Sequence, residues 1–118
     1  TVRKLIPGRY KDNLEALNLI LKSCAESNIL AIPYIVPIRS DVKKPYDPIE
    51  YNYFVNTVGD MASANRFTLY DLGNLIPARY WGSKEGTKLG GDLELDFMHF
   101  QAAGHKYLAE EIEKILKY

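Results

Sequence analysis

Cysteine is nearly absent: Cys24 is the only one in 118 residues, so the chain cannot form an internal disulfide and the redox compartment stays open. An excess of charge is also lacking, since fifteen Lys and Arg balance fifteen Asp and Glu. With no Lys/Arg stripe interleaved with aromatics, nucleic acid and anionic membranes are not expected as partners. No apolar run approaches the roughly 18 residues of a membrane span. The N-terminal stretch TVRKLIPGRY has no signal-peptide pattern, and internal repeats and low-complexity segments are missing too. What is present is a hydrophobic content of 47%, enough for one globular domain and too much for disorder. The first residue is Thr1, not Met, as expected of a trimmed or processed piece.

Apolar spacing predicts a first helix from about Tyr10 to Ser27, with Leu14, Leu17, Leu21 and Cys24 on one stripe and Asn28 at its exit. Cys24 is then a core residue. The run ILAIPYIVPI, residues 29–38, reads as a strand buried on both faces. Pro33 removes a ladder donor, so the regular part is expected at Ile29 to Ile32. The stretch DPIE, residues 47–50, is a helix start, with Asp47 as N-cap, Pro48 in the first turn and Glu50 three residues after the cap. That helix is expected to reach about Ala64, and a second strand to run from Phe67 to Leu72.

A long loop is expected over residues 73–100, since it carries Gly82, Gly86, Gly90, Gly91 and the single tryptophan, Trp81. A last helix follows from about Gln101 to Lys117. Alternation of this kind predicts a parallel-sheet α/β/α sandwich. Two strands are too few for one, so residues 1–118 read as the C-terminal part of a larger α/β domain. The sheet edge at Ile29–Ile32 would need cover from a missing N-terminal half or another chain.

The segment DFMHFQAAGH, residues 96–105, holds both histidines and an Asp just ahead of the last helix. At this spacing Asp96 can accept a hydrogen bond from one ring nitrogen of His99 while the other nitrogen faces a cleft. Such a pair fixes the tautomer, steadies the imidazolium and makes His99 a general base for a hydroxyl nucleophile. A helix cap or surface pair is the plain alternative. His105 reads as structural in the first turn of the helix. Metal binding by Asp92, Asp96, His99 and His105 matches no recognised spacing, and no metal or cofactor is expected.

The pattern D-x-x-H-F-x-x-x-G-H-x-x-L-A, carried by Asp96, His99, Phe100, Gly104, His105, Leu108 and Ala109, resembles the C-terminal block of the SGNH (GDSL-type) hydrolases, including their cell-envelope acylation branch. The Y-x-x-N-L helix at Tyr10, Asn13 and Leu14, with the proline-ended strand after it, is similar to the segment leading into that block. The resemblance implies a flavodoxin-like sandwich and a Ser-His-Asp ester hydrolase or O-acyl transferase, with His99 as base and Asp96 orienting it. It also implies an ester or acylated-glycan substrate and, for the envelope branch, an extracytoplasmic location. The family's G-D-S and G-x-N-D blocks are not in this sequence, so the nucleophile and the oxyanion hole are expected upstream of Thr1.

Within the chain, Ser40 lies past the first strand, where a turn or cap is the simpler role because no nucleophile elbow surrounds it. Trp81 and Tyr80 have two open roles: lining an acyl or sugar cleft, or anchoring the long loop to the core. A noncatalytic α/β binding or assembly module, pairing through its open sheet edge, is the competing function.

Overall fold

Asp47 accepts hydrogen bonds from the amides of Ile49 (2.9 Å) and Glu50 (3.3 Å), and Pro48 opens the first turn behind this cap. The computed structural model therefore starts a helix where DPIE predicts one; it describes residues 2–85 and 93–117, with side chains for 2–81 and 100–117. In chain order the elements are α1 (Pro7–Glu26), β1 (Tyr34–Ile35), α2 (Pro48–Ala64), β2 (Tyr70–Asp71), a 3-10 turn (Ala78–Tyr80), β3 (Trp81–Glu85), β4 (Leu93–Phe100) and α3 (Ala102–Leu116). Two compact units result: Thr1–Ile35 with Pro45–Asp71, and Val36–Lys44 with Leu72–Tyr118. Among the described residues no helix is long and apolar enough to cross a membrane.

In the first unit β1 and β2 pair in parallel, Tyr34 opposite Tyr70 and Ile35 opposite Asp71, with α2 between them in the chain. Leu21, Ile35, Val58 and Ala62 are its buried apolar residues. Tyr10, Phe54 and Tyr51 add a run of ring contacts, Tyr10 to Phe54 at 6.3 Å and Tyr51 to Phe54 at 6.4 Å. Both helices end in the same way. Asn28 (φ 56°) and Arg66 (φ 65°) take the left-handed conformation. The amides of Ile29 and Phe67 then reach back to the carbonyls of Cys24 (2.8 Å) and Ala62 (2.9 Å). This is the Schellman ending, which satisfies carbonyls that the helix leaves free.

That ending corrects the strand expected at Ile29–Ile32. The Ile29 amide is taken by the helix cap, Pro33 has no amide, and Ile29 and Leu30 are 57% and 67% exposed. Pairing starts only beyond Pro33, whose carbonyl accepts from the Tyr70 amide at 3.0 Å, and Pro37 follows two residues after the strand. The parallel-sheet α/β/α sandwich is corrected with it. Among the described residues there are two two-stranded sheets, one parallel and one antiparallel. Prolines at 33 and 37 leave β1 too short to seed a wider sheet.

In the second unit the large apolar residues buried among the described ones are Ile38, Leu72, Ile76 and Trp81. The Ile38 amide donates to the Gly73 carbonyl at 2.9 Å, and the Trp81 indole N–H to the Ile76 carbonyl at 3.3 Å. The span 73–100, expected as loop, contains the 3-10 turn and the antiparallel pair β3–β4.

Candidate functional site

The D-x-x-H-F-x-x-x-G-H block is the junction between β4 and α3. Phe100, the last residue of β4, stands opposite Trp81 in the ladder, and its ring meets the buried indole edge-on with centroids 5.4 Å apart. The Gln101 amide donates to the Tyr80 carbonyl at 2.7 Å, which ties the exit of β4 to the 3-10 turn. The chain then turns into α3. The amides of Gly104 (2.8 Å) and His105 (3.2 Å) donate to the Gln101 carbonyl, while the Gln101 side chain makes no cap.

Gly104 is what lets this turn close on Phe100. A Cβ on Gly104 would lie 2.8 Å from Phe100 Cδ2, 3.0 Å from its Cβ and 3.1 Å from its Cγ, closer than side chains pack. His105 covers the ring from outside with centroids 4.4 Å apart, and is exposed. The structural role expected of His105 is thus visible as a ring contact. The F-x-x-x-G-H spacing is a packing motif: the ring at the strand end meets a side-chain-free position one helical turn later.

Asp96 and His99 have their backbones in β4, not on the final turn of a loop. Their side chains, and with them the expected Asp96–His99 hydrogen bond and the Asp92 position, lie outside the described residues. The backbone around them is irregular. Trp81 pairs with Phe100 but Ser83 pairs with Leu95, so residues 96–99 stand opposite Gly82 alone. Departures of this kind bend a strand and re-aim its side chains, and they are common beside active sites.

Trp81 and Tyr80 sit next to the junction. Trp81 is 5% exposed and anchors the second unit's core through Ile76 and Phe100, the packing role of its two expected alternatives. Tyr80 is half-buried and packs against Tyr107 of α3 at 5.4 Å, and the Arg79 guanidinium lies over its ring at 4.6 Å. The Tyr80 hydroxyl raises the Arg79 pKa further, so this exposed cation holds its charge. Arg79 was not singled out from the sequence; a basic residue beside paired aromatics was the available signal.

Ser40 is exposed, in irregular chain between Arg39 and Asp41. Those two side chains form a fork, Arg39 Nε to Asp41 Oδ1 at 2.7 Å and Arg39 Nη2 to Asp41 Oδ2 at 3.2 Å. The guanidinium holds the Asp41 carboxyl below the usual aspartate range. No strand–turn–helix geometry surrounds Ser40, so nothing activates its hydroxyl in the manner of an elbow. Cys24 is half-buried and free. Comparison with protein-family models, curated proteins and solved structures gives no match for this chain.

Proposed function

We propose that this chain supplies the histidine–aspartate half of a Ser-His-Asp ester hydrolase or O-acyl transferase. His99 is the general base and Asp96 orients it, while the nucleophilic serine and oxyanion hole come from a segment outside these 118 residues. The observation that carries the reading is the D-x-x-H-F-x-x-x-G-H block itself. The register shift in β4 supports it. In an unbroken strand residues three apart face opposite sides, and the departure across 96–99 removes that obstacle.

A carboxylate beside an imidazole favours the charged ring and raises its pKa. The test is an NMR titration of the two imidazoles in the whole 118-residue chain, as wild type and as Asp96→Asn. The reading expects the His99 midpoint to fall by about one pH unit in the variant. An unchanged His99 midpoint overturns the pairing and the assignment of roles with it.

One observation favours a second reading, an assembly module: Ile29 and Leu30 present large apolar side chains to solvent. Concentration-dependent self-association that is lost in Ile29→Ser/Leu30→Ser, with His99 and Asp96 uncoupled, would favour it.

A further inference from the structure

We propose that Gly104 is a positioning residue for His99, acting through the ring of Phe100. The inference rests on the roles given above to His99 and Asp96. It starts from an asymmetry between two helical glycines. A Cβ on Gly59, in α2, would meet only Leu69 Cδ2 at 3.7 Å, an ordinary contact. On Gly104 it would press on three atoms of Phe100 at 2.8 to 3.1 Å, and these include the Cβ and Cγ, which cannot swing aside as a flexible side-chain tip would.

Phe100 has nowhere to retreat. Its ring is held edge-on by buried Trp81 at 5.4 Å and covered by His105 at 4.4 Å. Its backbone is paired with Trp81, and the next amide is bonded to the Tyr80 carbonyl. A larger residue at 104 must therefore move the end of β4 itself. His99 is the residue next to Phe100 in that strand and the last of residues 96–99, which stand opposite Gly82 alone, so the pairing at Phe100 is the nearest one that fixes it. The absent side chain at 104 is thus what sets the backbone at 99, and a base needs its ring within hydrogen-bond reach of its partners to act.

The experiment follows both imidazoles by NMR titration in the full chain. It compares wild type, Gly104→Ala, Phe100→Ala and the double variant Gly104→Ala/Phe100→Ala, each with and without Asp96→Asn. In the wild-type background Asp96→Asn should lower the His99 midpoint by about one pH unit. Gly104→Ala should abolish most of that difference by separating the pair; in the Phe100→Ala background, which lacks the Cγ and Cδ2 that the added methyl meets, Gly104→Ala should change the Asp96 effect far less. If Asp96→Asn shifts His99 but Gly104→Ala leaves its midpoint at the wild-type value, the positioning role is overturned and the His99–Asp96 reading stands. If Gly104→Ala changes the Asp96 effect as much in the Phe100→Ala background as in the wild type, Gly104 does not act through Phe100 and the inference fails. If Asp96→Asn has no effect even in the wild type, the reading of the site fails first. Should Gly104→Ala not fold, Phe100→Ala alone decides: it removes the ring contacts without adding an atom at 104, and the inference expects a smaller Asp96 effect on His99. An unreduced effect overturns it.

Discussion

Tyr10 and Gly59 show how far single side chains can be read. The Tyr10 hydroxyl oxygen is shielded from solvent and has no hydrogen-bond partner among the described residues, although its ring packs on Phe54. An unpaired buried hydroxyl costs free energy that phenylalanine does not incur, so Tyr10→Phe is expected to raise stability by about 1 kcal/mol. Urea unfolding checks this, and a loss of similar size would mean that the hydroxyl has a partner after all. Gly59→Ala is expected to stabilise by about 0.5–1 kcal/mol, since the helix interior favours alanine and the site has room. A lower thermal midpoint in that variant would contradict the packing at Leu69. Neither property was legible in the sequence, although Tyr10 itself stood out in the Y-x-x-N-L pattern, because shielding of an oxygen and space beside a Cα arise only from packing. The Phe100–Gly104 pair was legible as a spacing, though its physical reason was not.

Helix boundaries were the most legible elements because their signals are local. Asp47, Pro48 and Glu50 predicted the start of α2, and Asn28 the exit of α1. The strands were legible only in part. An apolar run cannot reveal that its first amide is claimed by a helix cap, as happens at Ile29. In the 93–97 stretch, Leu, Glu, Leu, Asp and Phe alternate with a period of two, a strand signal outweighed by the glycines before it. The Schellman ending of α2 makes its own prediction. Arg66 holds φ 65°, a conformation that costs a residue with a side chain about 1 kcal/mol and glycine almost nothing. Arg66→Gly should therefore raise the urea midpoint, whereas a fall would show that the arginine side chain contributes more than its backbone costs.

The cap of α2 also sets a pH dependence. The Lys4 ammonium, 2.6 Å from Asp47 Oδ2, and then the amides of Glu50 and Ile49 hold the Asp47 carboxyl below the usual aspartate range. Its stabilisation is full above the unfolded-state pKa and is lost as pH falls through the lower folded-state value. Lys4 is raised by the same bond, so its share is present below the ordinary lysine range and is lost as pH rises through the folded value. Asp47→Asn keeps an oxygen for the amides and loses the charge. It should flatten stability at both the acid and alkaline limbs, and unchanged limbs would contradict the pairing.

At the scale of the whole molecule, the alternation of helices and strands was legible but the sheet was not. Pairing depends on which amides are free, and Pro33, Pro37 and the capped Ile29 removed them. The two units hold a short parallel pair and an irregular antiparallel pair, and the second ends in the junction from which the candidate base emerges. The central claim is that His99 serves as the base for a serine lying outside these residues. Turnover of an activated ester, by this chain alone and by the protein extended with the residues encoded ahead of Thr1, tests it most directly. The account predicts no turnover above background for the 118 residues, and turnover in the extended protein that falls by about 10³-fold or more in His99→Ala. Turnover that survives His99→Ala in the extended protein, or turnover by the 118 residues alone that depends on Ser40, would contradict it.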